Sequence, residues 1–181
     1  ATSLCRRAAM LVMALSIGLA VLPSPASADL VVTAQSVTGI NPNSTNNALQ
    51  VIVTNTGGSA VGIAGFSFGL SVPNATIVFT LADISTTLTY IFGANGLAGN
   101  IISTTPPPNG QVVIASDLYA ILNSEVSLNA GQSLGLGRVL FDVGAIAPGT
   151  VVPITLTAPP TTGFTDKNGN APPVNLTLTT G

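Results

Sequence analysis

The first residues to consider are those whose side chains could take part in a reaction. The chain has no histidine, and its one cysteine, Cys5, lies in the N-terminal leader described below. Ser-His and Cys-His nucleophiles and histidine-ligated metal sites are therefore excluded. A glycosidase needs only two carboxylates, and the candidates are Asp83, Asp117, Glu125, Asp142 and Asp166. Because no spacing pairs any two of them, we interpret them as loop-solvating acids and predict that the protein is not an enzyme.

One short motif has the composition of a cation-binding loop. Asp166, Asn168 and Asn170 place oxygen-bearing side chains at alternate positions around a glycine, as at the start of a calcium loop. The distal bidentate Glu of such a loop is missing, so the sequence favours a plain turn, with Gly169 at positive φ and Asp166 capping backbone amides. Calcium is the alternative, with Asp142 or a backbone carbonyl completing the shell. We predict no other cofactor.

Aromatic residues are the side chains that would stack on a sugar ring. The chain has no tryptophan. Four phenylalanines are in phase with strand alternation and are predicted core residues: Phe66, Phe68, Phe79 and Phe141. Three further aromatic residues lie in less regular segments and form the predicted ligand-binding surface: Tyr90, Phe92 and Tyr119. Convergence of these three on one exposed patch would indicate carbohydrate binding; otherwise they cap the end of the fold.

The N-terminal residues have the order of a secretory signal. Arg6 and Arg7 precede an apolar run over 8–21, and the small-residue triplet at 26–28 follows. We predict that residues 1–28 are a helical signal peptide, removed by signal peptidase near Ala28, with the Sec and Tat routes both open. The apolar run is shorter than the roughly 20 residues that span a bilayer. We therefore expect no transmembrane anchor and a secreted or cell-surface protein.

Residues 29–181 form one predicted domain. This segment carries two basic residues, Arg138 and Lys167, against six acidic ones, which gives a net charge of −4. Nucleic-acid binding needs clustered Lys and Arg to replace the counterions of the phosphates, so this class of partner is excluded. The segment has no cysteine, so packing and β-pairing must stabilise it without disulfide bonds.

Short β-favouring runs between turn residues predict an all-β domain, arranged as an antiparallel sandwich. The predicted strands cover residues 30–37, 49–54, 65–72, 77–81, 111–115, 134–143, 151–156 and 174–179. The segment 103–110 contains three consecutive prolines, which predicts an extended loop because proline cannot donate to a strand ladder. Only 82–88 and 117–123 have the composition of a helical turn.

Several segments together resemble a known family. The runs 49–57 and 65–70, followed by 134–143, 147–150 and 164–170, are similar in content and order to secreted bacterial proteins of the PEP-CTERM type that carry a cohesin-like domain. The later runs give a Gly-rich strand with an aromatic end, an Ala-Pro-Gly turn, another strand and an Asp-x-x-Gly-Asn turn. The resemblance implies a cohesin-like, jelly-roll topology and a setting at the cell surface or in an exopolysaccharide matrix. It implies no reaction.

One feature of that family is missing from this sequence. Proteins of the PEP-CTERM type end in a Pro-Glu-Pro motif, a transmembrane helix and a basic tail, whereas this sequence stops at Gly181 without them. Two interpretations stay open: a truncated sequence, or a relative that is simply secreted.

The sequence as a whole predicts a structural or adhesive protein of an extracellular matrix, with another matrix protein or an extracellular polysaccharide as its partner. The export signal, the all-β pattern and the missing catalytic groups come from the residues, and the matrix comes from the resemblance. A carbohydrate-binding module is the first alternative. The second is a fibre-forming subunit whose strands add edge to edge, for which 30–37 and 174–179 are the candidate strands.

Overall fold

The computed structural model describes residues 28–99, 103–105, 110–172 and 174–180. These residues form twelve strands and one short 3-10 helix, Gly93–Asn95. The strands are β1 (Ala28–Ala34), β2 (Asn47–Asn55), β3 (Val61–Ile63), β4 (Gly65–Ser71), β5 (Ile77–Asp83), β6 (Ser103–Thr105), β7 (Val112–Leu118), β8 (Val126–Leu128), β9 (Ser133–Val143), β10 (Thr155–Leu156), β11 (Gly163–Thr165) and β12 (Val174–Thr180). The all-β prediction is confirmed.

The strands form two main sheets. The first has the order β12-β1-β2-β9-β5 and the second the order β10-β4-β7-β6, with β11 also paired to β4; β3 and β8 form a small separate ribbon. Within these sheets the pairings are antiparallel, except that β1 and β12 are parallel. The predicted sandwich is confirmed. The prediction that it is antiparallel is wrong for β1 and β12, which run parallel because β12 enters the first sheet at the end where β1 begins.

The interior is filled by alternate residues of both sheets. In β2, Val51 and Val53 are buried while Gln50 and Ile52 are partly exposed. The alternation of the sequence thus becomes the inside and outside of the sheet. The four predicted core phenylalanines are all buried: Phe66, Phe68, Phe79 and Phe141.

Several predicted element boundaries are wrong. Only Thr155 and Leu156 of the strand predicted over 151–156 are extended in a sheet, because Pro153 cannot donate to a ladder. The helical turns predicted over 82–88 and 117–123 do not form: β5 continues to Asp83 and β7 to Leu118. In β7 the inward position is taken by an acid, Asp117, so the sequence does not show the alternation that the strand has.

The four three-residue strands β3, β6, β8 and β11 are not predicted by the sequence. A run of three residues is too short to show alternation, and each of these strands is fixed by its partner, as β3 is by β8 and β11 by β4. Strand β6 lies in the predicted extended loop 103–110, so the first part of that prediction is wrong. Residues 106–109, with the prolines, lie outside the described residues.

The N-terminal predictions also fall mostly outside the described residues. The structure begins at Ala28, the first residue of β1, so the signal peptide and its helix stay predictions. Within the described part of the chain, no helix is long and apolar enough to cross a membrane.

The packing makes a prediction about stability. Phe68 is fully buried between the sheets, so Phe68→Ala should lower the free energy of unfolding by about 3 to 5 kcal/mol, measured by urea denaturation of residues 29–181. Leu122→Ala is the matched control, since that side chain is 87% exposed and its loss should change the stability by no more than about 0.5 kcal/mol. Equal losses in both variants would contradict this assignment of the core.

Candidate functional site

The outer face of the second sheet carries a row of exposed aliphatic side chains. Along β7, Val113 and Ala115 point inward and are buried. The alternate residues Val112, Ile114, Ser116 and Leu118 point outward, and the three aliphatic ones are 36%, 37% and 52% exposed. An aliphatic row on the solvent side of a strand is unlike the polar outer face usual in an antiparallel sheet. It is the first feature of the fold that core packing does not explain.

Strand β4, which pairs with β7, adds only small side chains to this outer face. Its outward residues are small: Gly65, Ser67, Gly69 and Ser71 lie opposite Leu118, Ser116, Ile114 and Val112 in turn. The Leu118 side chain lies over Gly65, where an added Cβ would be 2.6 Å from its Cδ2 atom. Beyond this strip, Thr157 and Thr161 close over Gly69. The aliphatic row therefore stands in a shallow, uncharged surface bordered by threonines.

Leu97 extends this surface at one end. Gly96 and Tyr119 form an antiparallel bridge, and the Leu97 N–H donates to the Leu118 carbonyl at 2.8 Å. Tyr119 turns inward onto the Phe92 ring, so the neighbouring pair Leu97 and Leu118 faces outward. Leu97 is 66% exposed. We call Leu97, Val112, Ile114 and Leu118 the apolar face.

The apolar face depends on a segment that closes the end of the sandwich, residues 89–97, which we call the end cap. Ile91 donates its N–H to the Gly135 carbonyl of β9, and Gly135 donates to the Thr89 carbonyl, both at 2.9 Å. On the other side, Ala120 donates to the Asn95 carbonyl at 2.8 Å. The end cap is thus bonded to the first sheet and to the chain that leaves the second.

A buried carboxylate fixes the end cap to β7. The Tyr90 hydroxyl donates to Asp117 Oδ2 at 2.6 Å, while Asp117 Oδ1 accepts the Ala98 N–H at 2.9 Å and the Leu118 N–H at 2.8 Å. Asp117 is only 3% exposed. Burial, together with the bond to Asp117, raises the pKa of Tyr90 well above its ordinary value. Asp117 therefore has a structural role, which the position of this acid in the sequence does not reveal.

The three predicted ligand-binding aromatic residues do converge, but not on an exposed patch. Tyr90 and Phe92 are 7% and 2% exposed, and the ring centroids of Phe92 lie 6.1 Å from Tyr90 and 5.6 Å from Tyr119. The expected exposed surface is wrong for Tyr90 and Phe92, because the end cap folds back and packs both rings against the core. They cap the end of the sandwich, which was the alternative.

The remaining acids lie in separate surroundings. Asp83 forms a bidentate ion pair with Arg138, with Nη2 to Oδ2 at 2.6 Å and Nε to Oδ1 at 3.1 Å. Asp142 Oδ1 accepts the Asn46 N–H at 2.9 Å. Glu125 and Asp166 line one small cleft of about 230 Å³.

The motif at 166–170 forms the predicted turn. Asp166 Oδ1 accepts the N–H groups of Asn168 at 2.8 Å and Asn170 at 2.9 Å, and Gly169 has a φ of +79°. Asp142 does not complete a cation shell, because it lies at the other end of the sandwich, next to Asn46. Glu125, distant in sequence, is the acid beside the turn: its Oε2 accepts the Lys167 N–H at 3.4 Å. Calcium binding stays a prediction.

The opposite end of the sandwich holds an apolar recess of about 670 Å³ between the loops 35–42 and 146–154. Its lining includes Val37, Ile40, Ile146, Val152 and Ile154, and none of the described residues that line it is charged. These side chains are partly buried against the core.

Replacing Tyr90 tests the buried carboxylate. Tyr90→Phe leaves Asp117 Oδ2 without its donor and should lower the free energy of unfolding by about 1 to 3 kcal/mol at neutral pH. The Tyr90 pKa is raised on folding, so the stability that this phenol contributes is complete below pH 10.0, the ordinary value, and falls as the pH rises toward the folded-state pKa. The difference between wild type and variant should therefore narrow above pH 10.0.

Urea denaturation at several pH values measures this difference, and Tyr119→Phe, which keeps the ring on Phe92, is the matched control. A Tyr90→Phe protein as stable as wild type would contradict the role of the bond.

The turn at 166–170 makes a separate prediction. The amides of Asn170 and Asn168 hold the pKa of Asp166 below its ordinary value of 3.8. An NMR titration should therefore show both amide signals moving together with a midpoint below pH 3.8, and Asp166→Ala should abolish that step. A midpoint at or above the ordinary value would refute the turn geometry.

The same amide signals test calcium binding. No shift of these signals at about 10 mM calcium, above the roughly 0.1 to 1 mM dissociation constants of extracellular modules, would reject a cation site.

Comparison with known proteins gives matches in structure but not in sequence. No protein-family model matches the chain, and no curated protein matches it. A type I cohesin–dockerin complex from Clostridium thermocellum contains a similar chain, with a TM-score of 0.59 and 12% identity over 86% of this chain and 92% of that chain. The third ScaC cohesin of Acetivibrio cellulolyticus, in complex with a ScaB dockerin, has a TM-score of 0.56 and 16% identity over 83% and 96%. The seventh ScaB type I cohesin of Pseudobacteroides cellulosolvens has a TM-score of 0.54 and 12% identity over 83% of this chain and 88% of that chain.

Identity this low is informative about the fold alone. The fold of this chain agrees with the folds of these neighbours over most of both chains. The PEP-CTERM resemblance is not tested by them and stays a prediction. The described chain is a cohesin-like β-sandwich.

Proposed function

We propose that the protein is a protein-docking module of a cell-surface or extracellular assembly, and that it binds its partner through the apolar face. The observation that carries the proposal is the outward row of Val112, Ile114 and Leu118 with Leu97 beside it, exposed and uncharged on the outer face of the second sheet. Apolar side chains grouped on a rigid, nearly flat surface are typical of the centre of a protein interface. Their contact with a partner would remove this area from water.

The structural neighbours support a protein partner. Several of the similar cohesins were solved in complex with a dockerin, so the fold binds another protein there. The N-terminal sequence supports export, with removal of the leader by signal peptidase, and the family resemblance supports a structural or adhesive role in a matrix. The N-terminal sequence and the resemblance thus support a docking event outside the cell, with the protein secreted or at the surface.

A polysaccharide partner has less support than a protein partner. Stacking on a sugar needs an exposed ring face, and Tyr90 and Phe92 are buried. The carbohydrate-binding module thus lacks two of the three rings on which that alternative was based. A non-enzymatic role also fits the described acids, which are engaged one by one in turns, an ion pair and the end cap.

The proposal is tested by reversing the polarity of the apolar face. Residues 29–181, immobilised and exposed to the secreted and surface proteins of the source bacterium, should retain a partner that Ile114→Asp and Leu118→Asp lose. With the purified partner, each variant should bind at least about tenfold more weakly by calorimetry, as expected for a central interface position that costs more than about 1.4 kcal/mol.

Val151→Asp is the matched control, because that residue is 90% exposed in the loop 146–154, which is not part of the apolar face, and this variant should bind as wild type does. The proposal is overturned if the two face variants bind as tightly as the control, or if the wild-type protein retains nothing. A partner that proves to be a polysaccharide would favour the alternative.

A further inference from the structure

Strand β12 forms one edge of the first sheet and is paired on one side only. It runs parallel to β1 over seven residue pairs without a bulge, from Ala28 opposite Val174 to Ala34 opposite Thr180. In an extended strand, each residue directs its N–H and C=O to the same side, and successive residues alternate. About half of the β12 backbone groups therefore bond to β1 and the other half point away from the sheet.

The outward side of β12 has no described backbone partner. Among the described residues, no hydrogen bond between backbone groups reaches 174–180 from outside the pairing with β1. The outer-surface side chains bond back to β1: Asn175 donates to Asp29 Oδ1 at 2.7 Å, and Thr179 pairs with the Thr33 hydroxyl at 2.7 Å. These contacts hold β12 in place but leave its edge open.

Among the described edges, those formed by β5 and by β10 with β11 are protected against strand addition, and β12 is not. At the β5 edge, the Phe79 N–H already donates to the Gly110 carbonyl at 2.6 Å. The β10 and β11 edge is short and is interrupted by an excursion that contains Pro159 and Pro160. Strand β12 is seven residues long and has no charged residue and no proline. Proteins use such charges and prolines to prevent strand addition, so this edge is open to it.

We propose that β12 pairs antiparallel with β12 of a second copy, about a twofold axis at Thr177. In this register Thr177 faces Thr177, Leu176 faces Leu178, and Asn175 faces Thr179, so no like charges meet. Leu176 and Leu178 are only partly buried against the core, and each would be covered by the other copy. The two five-stranded sheets become one continuous sheet.

The geometry gives a closed pair instead of a fibre. A fibre needs two different edges that match, and the β5 edge is already bonded at Phe79; an isologous contact uses the same edge twice and stops. Of the two strands predicted for edge addition, 30–37 is wrong, because β1 lies inside the sheet between β12 and β2. The pairing is independent of the apolar face, which belongs to the other sheet, so a dimer would carry two docking faces.

The test places charges at the axis. Light scattering of residues 29–181 after size exclusion, from micromolar to millimolar protein, should show a monomer–dimer equilibrium. Thr177→Lys should be monomeric, because two like charges would lie directly opposite each other, and so should Thr177→Glu. An equimolar mixture of the two variants should recover the dimer, which shows that both are folded. Thr45→Lys, at an exposed loop position, is the matched control and should dimerise as wild type does.

Three outcomes would overturn the pairing: a wild-type protein that stays monomeric over the whole range, a Thr177→Lys protein that dimerises as wild type does, or oligomers that keep growing with concentration. Failure of the mixture to dimerise while each variant keeps the wild-type circular dichroism spectrum would also count against it, since opposite charges at the axis should attract.

Discussion

The two sheets are held together by the side chains that alternate strand residues place between them. Residues 29–181 contain no cysteine, so no disulfide joins the layers, and the fully buried Phe68, Leu70 and Val53 illustrate how strictly the inward positions are apolar. This constraint also determines what lies outside. Because successive residues of a strand face opposite ways, fixing Val113 and Ala115 in the core forces Val112 and Ile114 onto the solvent side. The apolar face is thus free to serve binding, since packing makes no demand on those positions.

The exception to the apolar interior is Asp117, and it joins the core to the site. Its two oxygens accept bonds from the end cap and from its own strand, so the carboxylate is buried without an unsatisfied oxygen. An isolated buried charge is costly, but one held by several donors can fix a single geometry. Here it holds the chain at Leu97 against the chain at Leu118. The hydrogen bond from the Tyr90 hydroxyl to Asp117 explains why Tyr90, an aromatic residue of a type that can stack on sugars, has a structural role instead.

Sequence reasoning succeeded where one strand alone contains the signal. Alternation in 49–54 and 65–72 predicted β2 and β4, with the core residues Phe66 and Phe68 of β4, and the family resemblance, carried by the order of such runs, implied the cohesin-like topology. It failed where the structure of a segment depends on another segment that is distant in the sequence. The three-residue β3 is defined by β8, and burial of Phe92 depends on the end cap folding back. Glu125 meets the turn at Asp166 through the fold, and no local pattern announces that contact. The sequence did not reveal the apolar face, because the outward residues Val112 and Ile114 are of the same types as core residues.

The parallel pairing of β1 with β12 has a mechanical consequence. Strand β1 enters the sheet at the end where β12 also begins, so the chain leaves β12 at Thr180, at the opposite end of the sandwich. A tension applied through Ala28 and Thr180 would slide the two strands along each other. Their hydrogen bonds lie across the direction of pull and would share the load, whereas bonds at a hairpin that is peeled open break one after another. The pairing of β1 with β12 is therefore suited to resist stretching between Ala28 and Thr180.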